Sequence, residues 1–110
     1  MATPTPTLKA RALRLLAQRE HSRLELERKL RAHAQDAAEL SEVLDGLQAR
    51  GYIDAQRVAD SVAQRRAPRL GTARVRAELQ ARGLDAELVA QTLAPLQQNE
   101  HERAQAVWQK

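Results

Sequence analysis

The sequence predicts an all-α chain of tandem three-helix repeats, two complete and the first helix of a third, forming a curved helical array. Three observations carry this expectation. Apolar residues recur at helical spacing. Alanine, leucine, arginine, glutamate and glutamine, all strong helix formers, dominate the composition. A pattern also repeats 49 residues on: Ser22, Leu26 and Leu30 align with Gly71, Val75 and Leu79, and Leu40, Leu44 and Leu47 align with Val89, Leu93 and Leu96. A helical unit repeated in this way buries little alone and usually presents a surface to a macromolecule.

The elements follow in order. Residues 1–7, Met-Ala followed by alternating threonine and proline, are expected to be a disordered tail; they lack the basic and apolar regions of a signal peptide. Leu8, Ala12, Leu15 and Leu16 fall on one face of a first helix, about 8–18. Ser22 and Glu25 have capping-box spacing, so a second helix starts at Arg23 and reaches about His33 with Leu26 and Leu30 inward. Glu25 with Lys29 and Glu27 with Arg31 are expected as i, i+4 pairs. A third helix, about 37–50, buries Leu40, Val43, Leu44 and Leu47 and ends at Gly51.

Asp54 is placed to cap a fourth helix over about 55–67, with Val58 and Val62 inward, followed by a turn at Pro68–Gly71. A fifth helix, about 72–82, buries Val75 and Leu79 and ends at Gly83. Asp85 caps a sixth helix, about 86–97, with Leu84 and Val89 at staple positions; Pro95 should kink it or stop it near Leu93. Asn99 and Glu102 then open a seventh helix whose apolar side, Ala104, Val107 and Trp108, has nothing after it to cover it. The expected organisation is therefore a tail (1–7), repeat one (8–51), repeat two (52–97) and the first helix of an incomplete repeat three (98–110).

Composition narrows function. Eighteen Lys and Arg against 14 Asp and Glu give a formal net charge of +4, and a pI near 10.3 favours a polyanion or an acidic protein face as partner. All but three of the basic residues are arginine, which suits bidentate recognition of phosphate or carboxylate; GC-rich codon usage is the competing explanation. The absence of cysteine excludes disulfide scaffolds, Cys-based zinc sites and thiol catalysis. No window approaches the roughly 18 apolar residues of a membrane span, so a cytoplasmic protein is expected.

Catalytic chemistry has no foothold in the pattern. His21, His33 and His101 show no metal-ligand spacing, and no glycine-rich phosphate loop or G-x-S-x-G elbow occurs. The acids Asp36, Glu39, Asp85 and Glu87 fall in first helical turns, where negative charge favours the helix dipole. No catalytic residue, cofactor, metal or small-molecule substrate is expected. The constellation that stands out is basic: Arg65, Arg66, Arg69, Arg74 and Arg76 lie within twelve residues that contain no acid. Such a cluster could meet phosphates or an acidic groove, or simply be a solvated helix end. Tyr52 and Trp108 are too few for a base-stacking platform.

Three stretches together resemble the bacterial RecX family: His-Ser-Arg-Leu-Glu-Leu-Glu-Arg-Lys-Leu at 21–30, Gly-Tyr-Ile-Asp-Ala-Gln-Arg-Val-Ala at 51–59, and Gly-Thr-Ala-Arg-Val-Arg-Ala-Glu-Leu-Gln-Ala-Arg-Gly-Leu at 71–84. Their order and spacing match over nearly the whole chain after the tail. The resemblance implies tandem three-helix repeats, usually three. It also implies a non-enzymatic regulator in DNA repair, recombination and the SOS response that lodges in the groove of the RecA filament on single-stranded DNA. There it would inhibit ATP hydrolysis and strand exchange.

Carried over by position, the family's basic residue after the glycine-aromatic-aspartate junction falls on Arg57, and those of the second repeat on Arg65, Arg66, Arg74 and Arg76. Lys29 and Arg69 complete the candidate set for RecA or phosphate contact, with weak binding to single-stranded or duplex DNA phosphates and no membrane partner. Two departures stand out. Val58 replaces a common aromatic, and the third repeat is represented by one helix, which implies weaker inhibition. The rival is a helix-turn-helix-like DNA-binding module presenting Arg74, Arg76 and Arg82 from the fifth helix, although Arg74, Glu78 and Arg82 have the spacing of a self-satisfying ladder. A passive scaffold bundle is the third reading.

Overall fold

The computed structural model describes residues 5–108, with side chains described as far as Glu102. The described residues form helices and no strand: α1 Leu8–Gln18, α2 Arg23–Leu30, α3 Ala37–Ala49, α4 Ala55–Leu70, α5 Thr72–Ala81 and α6 Ala86–Trp108. A single 3₁₀ turn, Arg31–His33, tightens the end of α2. The chain divides into two units, one ending at Ala55 and the other beginning at Gln56. Each has three α-helices around its own core.

In the first unit, Leu8 and Ala12 of α1 meet Leu26 and Leu30 of α2 and Leu40, Leu44 and Leu47 of α3, with Ile53 at the end of the cluster. The helices start where side chains satisfy their first amides. Thr7 Oγ1 accepts from Ala10 N, and Asp36 Oδ1 accepts from Glu39 N at 2.8 Å. Ser22 and Glu25 form the expected capping box, with Ser22 Oγ accepting from Glu25 N and Ser22 N donating to Glu25 Oε1. Gly51, at φ +85°, closes α3. Tyr52 N there donates to Leu47 O and Gly51 N to Gln48 O, the paired bonds of a Schellman motif.

The second unit repeats this plan with smaller side chains. Val58, Ala59, Val62 and Ala63 of α4 pack with Val75 and Leu79 of α5 and Val89 and Leu93 of α6. Positions 49 apart share a role: Leu26 and Val75, Leu30 and Leu79, Leu40 and Val89, Leu44 and Leu93 are all buried. The Schellman pattern recurs at Gly83, where Leu84 N donates to Leu79 O and Gly83 N to Gln80 O.

Two expected breaks are absent. Helix α4 runs through Pro68 to Leu70, where a turn was expected, and α6 runs through Pro95 to Trp108, where a stop near Leu93 and a separate seventh helix were expected. A helix-interior proline removes a hydrogen bond and costs about 3 kcal/mol, so each helix needs a compensation. Gln64 and Gln91, whose carbonyls lose their i+4 donor, are exposed, so water can replace it. Beyond Pro95, Leu96 packs against the second core. Glu100 then accepts from both Thr72 N and Thr72 Oγ1 at 3.0 Å. Of the apolar side expected around Ala104, Val107 and Trp108, the side chains lie outside the described residues.

Candidate partner-binding surface

The basic constellation of the second unit is carried by the last turns of α4 and by α5. Arg65, Arg66 and Arg69 are neighbours at i, i+1 and i+4 and are exposed. Positive charge at this end of α4 complements the helix dipole. Arg65 Nε donates back to the Ser61 carbonyl at 3.2 Å. Arg66, near the core-facing stripe of α4, reaches Glu78 of α5 at 3.6 Å.

Glu78 also pairs with Arg82 at 3.0 Å. The expected Arg74–Glu78–Arg82 ladder is thus formed at its Arg82 end, with Arg66 of the neighbouring helix at Glu78. The acid that compensates Arg66 lies just outside the twelve-residue acid-free window. Among the described residues no ion pair holds Arg69, Arg74 or Arg76.

The five arginines do not form one patch. Arg74 and Arg76 flank the fully buried Val75, and two residues turn an α-helix by about 200°. They emerge on opposite flanks of α5, Arg76 the more covered of the two. Arg57 is exposed on α4, on the side away from the buried Val58, Ala59, Val62 and Ala63.

Lys29 belongs to the first unit and has a role that the sequence did not reveal. Expected beside Glu25, it instead donates from Nζ to His21 Nε2 at 3.0 Å, while Glu25 Oε2 takes the Arg19 guanidinium at 2.7 Å. His21 is completely buried, and its Nδ1 lies 3.0 Å from the Arg19 carbonyl. A carbonyl only accepts, so the proton sits on Nδ1 and Nε2 accepts from Lys29. Burial is the main reason the imidazole pKa lies below 6.5, and the cations Arg19 and Lys29 lower it further. The Arg19 backbone bond and Glu25 act the other way. Glu27 pairs with Arg23, where Arg31 was expected. Arg23 also reaches Asp45 at 2.7 Å and Gln48 at 2.8 Å, tying α2 to α3.

Among the described residues no three His, Asp or Glu side chains group as a metal site, and no helix is long and apolar enough to cross a membrane. Every buried side-chain polar atom among them has a partner.

Residues 54–93, covering α4, α5 and the first part of α6, match the family model described as RecX, second three-helix domain. The chain is 50% identical over 107 residues to Regulatory protein RecX of Leptothrix cholodnii, covering 97% of this chain and 68% of that protein. The chain belongs to the RecX family. Regulatory protein RecX of Ralstonia pickettii is 46% identical over 104 residues, 94% of this chain and 65% of that one. The Herminiimonas arsenicoxydans protein of the same name is 42% identical over 108 residues, 98% and 72% respectively. This RecX chain therefore spans about two thirds of the length of these relatives. No solved structure matches. The RecX model match ends at Leu93, whereas α6 continues past Pro95 to bring Glu100 onto the start of α5.

Proposed function

We propose that this RecX-type regulator binds the RecA filament on single-stranded DNA and inhibits its ATP hydrolysis and strand exchange, without catalysis of its own. The observation that carries the reading is the family membership of a chain whose relatives are named regulatory proteins. It is supported by a basic surface on α4 and α5 in which Arg69 and Arg74 are exposed and unpaired among the described residues. Guanidinium groups left unneutralised within the protein are available to carboxylates of a protein groove and to strand phosphates. Arg65 and Arg66 are exposed in the same last turns of α4 as Arg69, whereas Arg57 lies at the other end of that helix and Arg76 on the flank of α5 opposite Arg74.

A helix-turn-helix-like reading of α5 as a duplex-recognition helix is weaker. Arg82 is occupied by Glu78, and Arg76 emerges on the flank opposite Arg74. The test is single-stranded-DNA-dependent ATP hydrolysis by cognate RecA, titrated with this chain at fixed salt and with DNA in excess. Inhibition at substoichiometric chain is expected. The double charge reversal Arg69→Glu with Arg74→Glu should raise the half-inhibitory concentration about tenfold, equivalent to ~1.4 kcal/mol. Unchanged hydrolysis with folded chain, together with a footprint on duplex DNA in the absence of RecA, would refute the filament reading.

A further inference from the structure

The first unit holds a lysine placed as a nucleophile. Lys29 Nζ is hydrogen-bonded to His21 Nε2 at 3.0 Å, and His21 Nδ1 in turn meets the Arg19 carbonyl at 3.0 Å. A nucleophile within reach of a base that a third group orients is the arrangement by which side chains are activated for covalent chemistry. Here the order is amine, imidazole, carbonyl. The carbonyl fixes the tautomer, so the lone pair of Nε2 faces the amine. His21 is completely buried whereas Lys29 is exposed, so the base is held still and the nucleophile is open to solvent. Burial also keeps the imidazole neutral at pH 7, the form that accepts a proton, while the Arg19 backbone bond and Glu25 favour the imidazolium that forms.

The surroundings of Lys29 select the reagent. It shares a cleft of about 360 Å³ with Arg11, Arg14, Leu15 and Gln18 of α1 and with Leu30 and His33, a size that suits a small molecule. No carboxylate lines the cleft, and among the described residues no ion pair holds Arg11 or Arg14. Paired guanidinium groups match a phosphoryl group. No Phe, Tyr or Trp lines the cleft to stack on the base of a nucleotide-borne thioester.

We infer that Lys29 is an acylation site whose donor is a small acyl phosphate, with Arg11 and Arg14 holding the phosphoryl group and His21 acting as general base. In the step, the Lys29 ammonium passes one proton to His21 Nε2. The amine lone pair forms a bond to the acyl carbonyl carbon, the bond from that carbon to the phosphate oxygen breaks, and the leaving phosphate takes the second proton from nitrogen. His21 returns its proton to water. Ammonium and acyl phosphate dianion thus become amide, hydrogen phosphate and one released proton, with nothing oxidised or reduced. The product carries no charge at position 29, so the cleft loses its ammonium. This assignment holds whether or not the chain meets a recombinase filament.

The chain supplies its own control. Lys9 is exposed on the same unit, among Glu42, Val43, Gly46 and Arg50, with no imidazole beside it. The experiment incubates the full chain with acetyl phosphate at neutral pH and follows acetylation of Lys29 and Lys9 by mass spectrometry of proteolytic peptides. General-base catalysis contributes about a hundredfold or more in a finished active site, and Lys29 should react about tenfold faster than Lys9. His21→Gln, which keeps a hydrogen-bond acceptor but takes no proton, should bring Lys29 down to the rate of Lys9. Arg14→Gln should lower the Lys29 rate about fivefold, the worth of one exposed charge contact, and leave it unchanged with the N-hydroxysuccinimide ester of acetic acid, which has no phosphoryl group. Circular dichroism establishes that each variant is folded, and the exposed Arg14 keeps the test open where His21→Gln is not. Equal rates at Lys29 and Lys9 in the unaltered chain would overturn the assignment. An unchanged Lys29 rate in folded His21→Gln would overturn the role of the imidazole. A loss with both donors, or with neither, in Arg14→Gln would overturn the choice of an acyl phosphate.

Discussion

Replacing Glu100 with alanine should destabilise the second unit, although this residue is exposed and lies 28 positions from the group it serves. Helix α5 begins at Gly71, which has no side chain to cap it. Its first amide and the Thr72 hydroxyl both donate to the Glu100 carboxylate at 3.0 Å, so a distant residue does for α5 what Ser22 does for α2. Thr72 is only 6% exposed, so water replaces these bonds poorly. Loss of a cap costs about 1 kcal/mol. Loss of negative charge at a helix start adds about 0.3–1 kcal/mol, and the better helix propensity of alanine returns a few tenths. The expected net loss is about 1–1.5 kcal/mol. Urea unfolding followed by circular dichroism, with the slope compared between variants, measures it. Thr72→Val, which keeps the backbone bond and removes the hydroxyl one, should cost less, and the double variant should cost less than the sum of the two. A loss below ~0.3 kcal/mol for Glu100→Ala, with additive singles, would refute the capping argument, since cap losses run from about 0.5 kcal/mol upward.

The buried His21 predicts a pH dependence. Its folded pKa lies below the ordinary 6.5, chiefly because burial disfavours the imidazolium. The unfolded chain therefore takes up the proton first on acidification, and the stability is fully present above pH 6.5 and declines as pH falls towards the folded value. The slope is at most ~1.4 kcal/mol per pH unit for one proton, and His21→Gln should remove it from urea midpoints measured across this range; an unaltered slope would mean that His21 is not its source. Gly51→Ala tests backbone strain alone, because a Cβ there meets nothing within 4 Å while φ is +85°. It should cost about 1–2 kcal/mol, read as a lowered thermal midpoint, and a neutral result would show that the end of α3 relaxes.

Much of this architecture is legible in the sequence because it depends on local spacing. Leu26, Leu30, Leu44 and Leu47 and their counterparts Val75, Leu79 and Leu93 can be placed inward by helical periodicity, and all are buried. Ser22 with Glu25 marks the start of α2 because a capping box closes within four residues. Gly51 and Gly83 mark the ends of α3 and α5 because a left-handed closing residue favours glycine.

The prolines mislead because their cost is local while its compensation is not. Nothing near Pro95 in sequence announces that Leu96 will find the second core or that Glu100 will find Thr72. The arginines show the same division. Their number and clustering can be read directly, but which of them are neutralised depends on packing between helices. Arg66 is taken by Glu78 of the next helix, and the 200° turn between Arg74 and Arg76 separates residues that look adjacent on the page. The grouping of Arg11 and Arg14 with Lys29 and His33 around one cleft is not legible in the sequence, because the last two come from another helix and a 3₁₀ turn.

The sequence by itself thus determined an all-α chain, its repeat, the capping box of α2, the glycine ends of α3 and α5 and its basic character, since each arises from interactions spanning one or two helical turns. Only the tertiary structure decided that α6 continues to supply the missing cap of α5, that His21 is buried as the acceptor for Lys29, and which cations stand together without a counter-charge. Those outcomes rest on contacts between residues far apart in the chain, where a few bonds and a few Å of helix packing outweigh local preference.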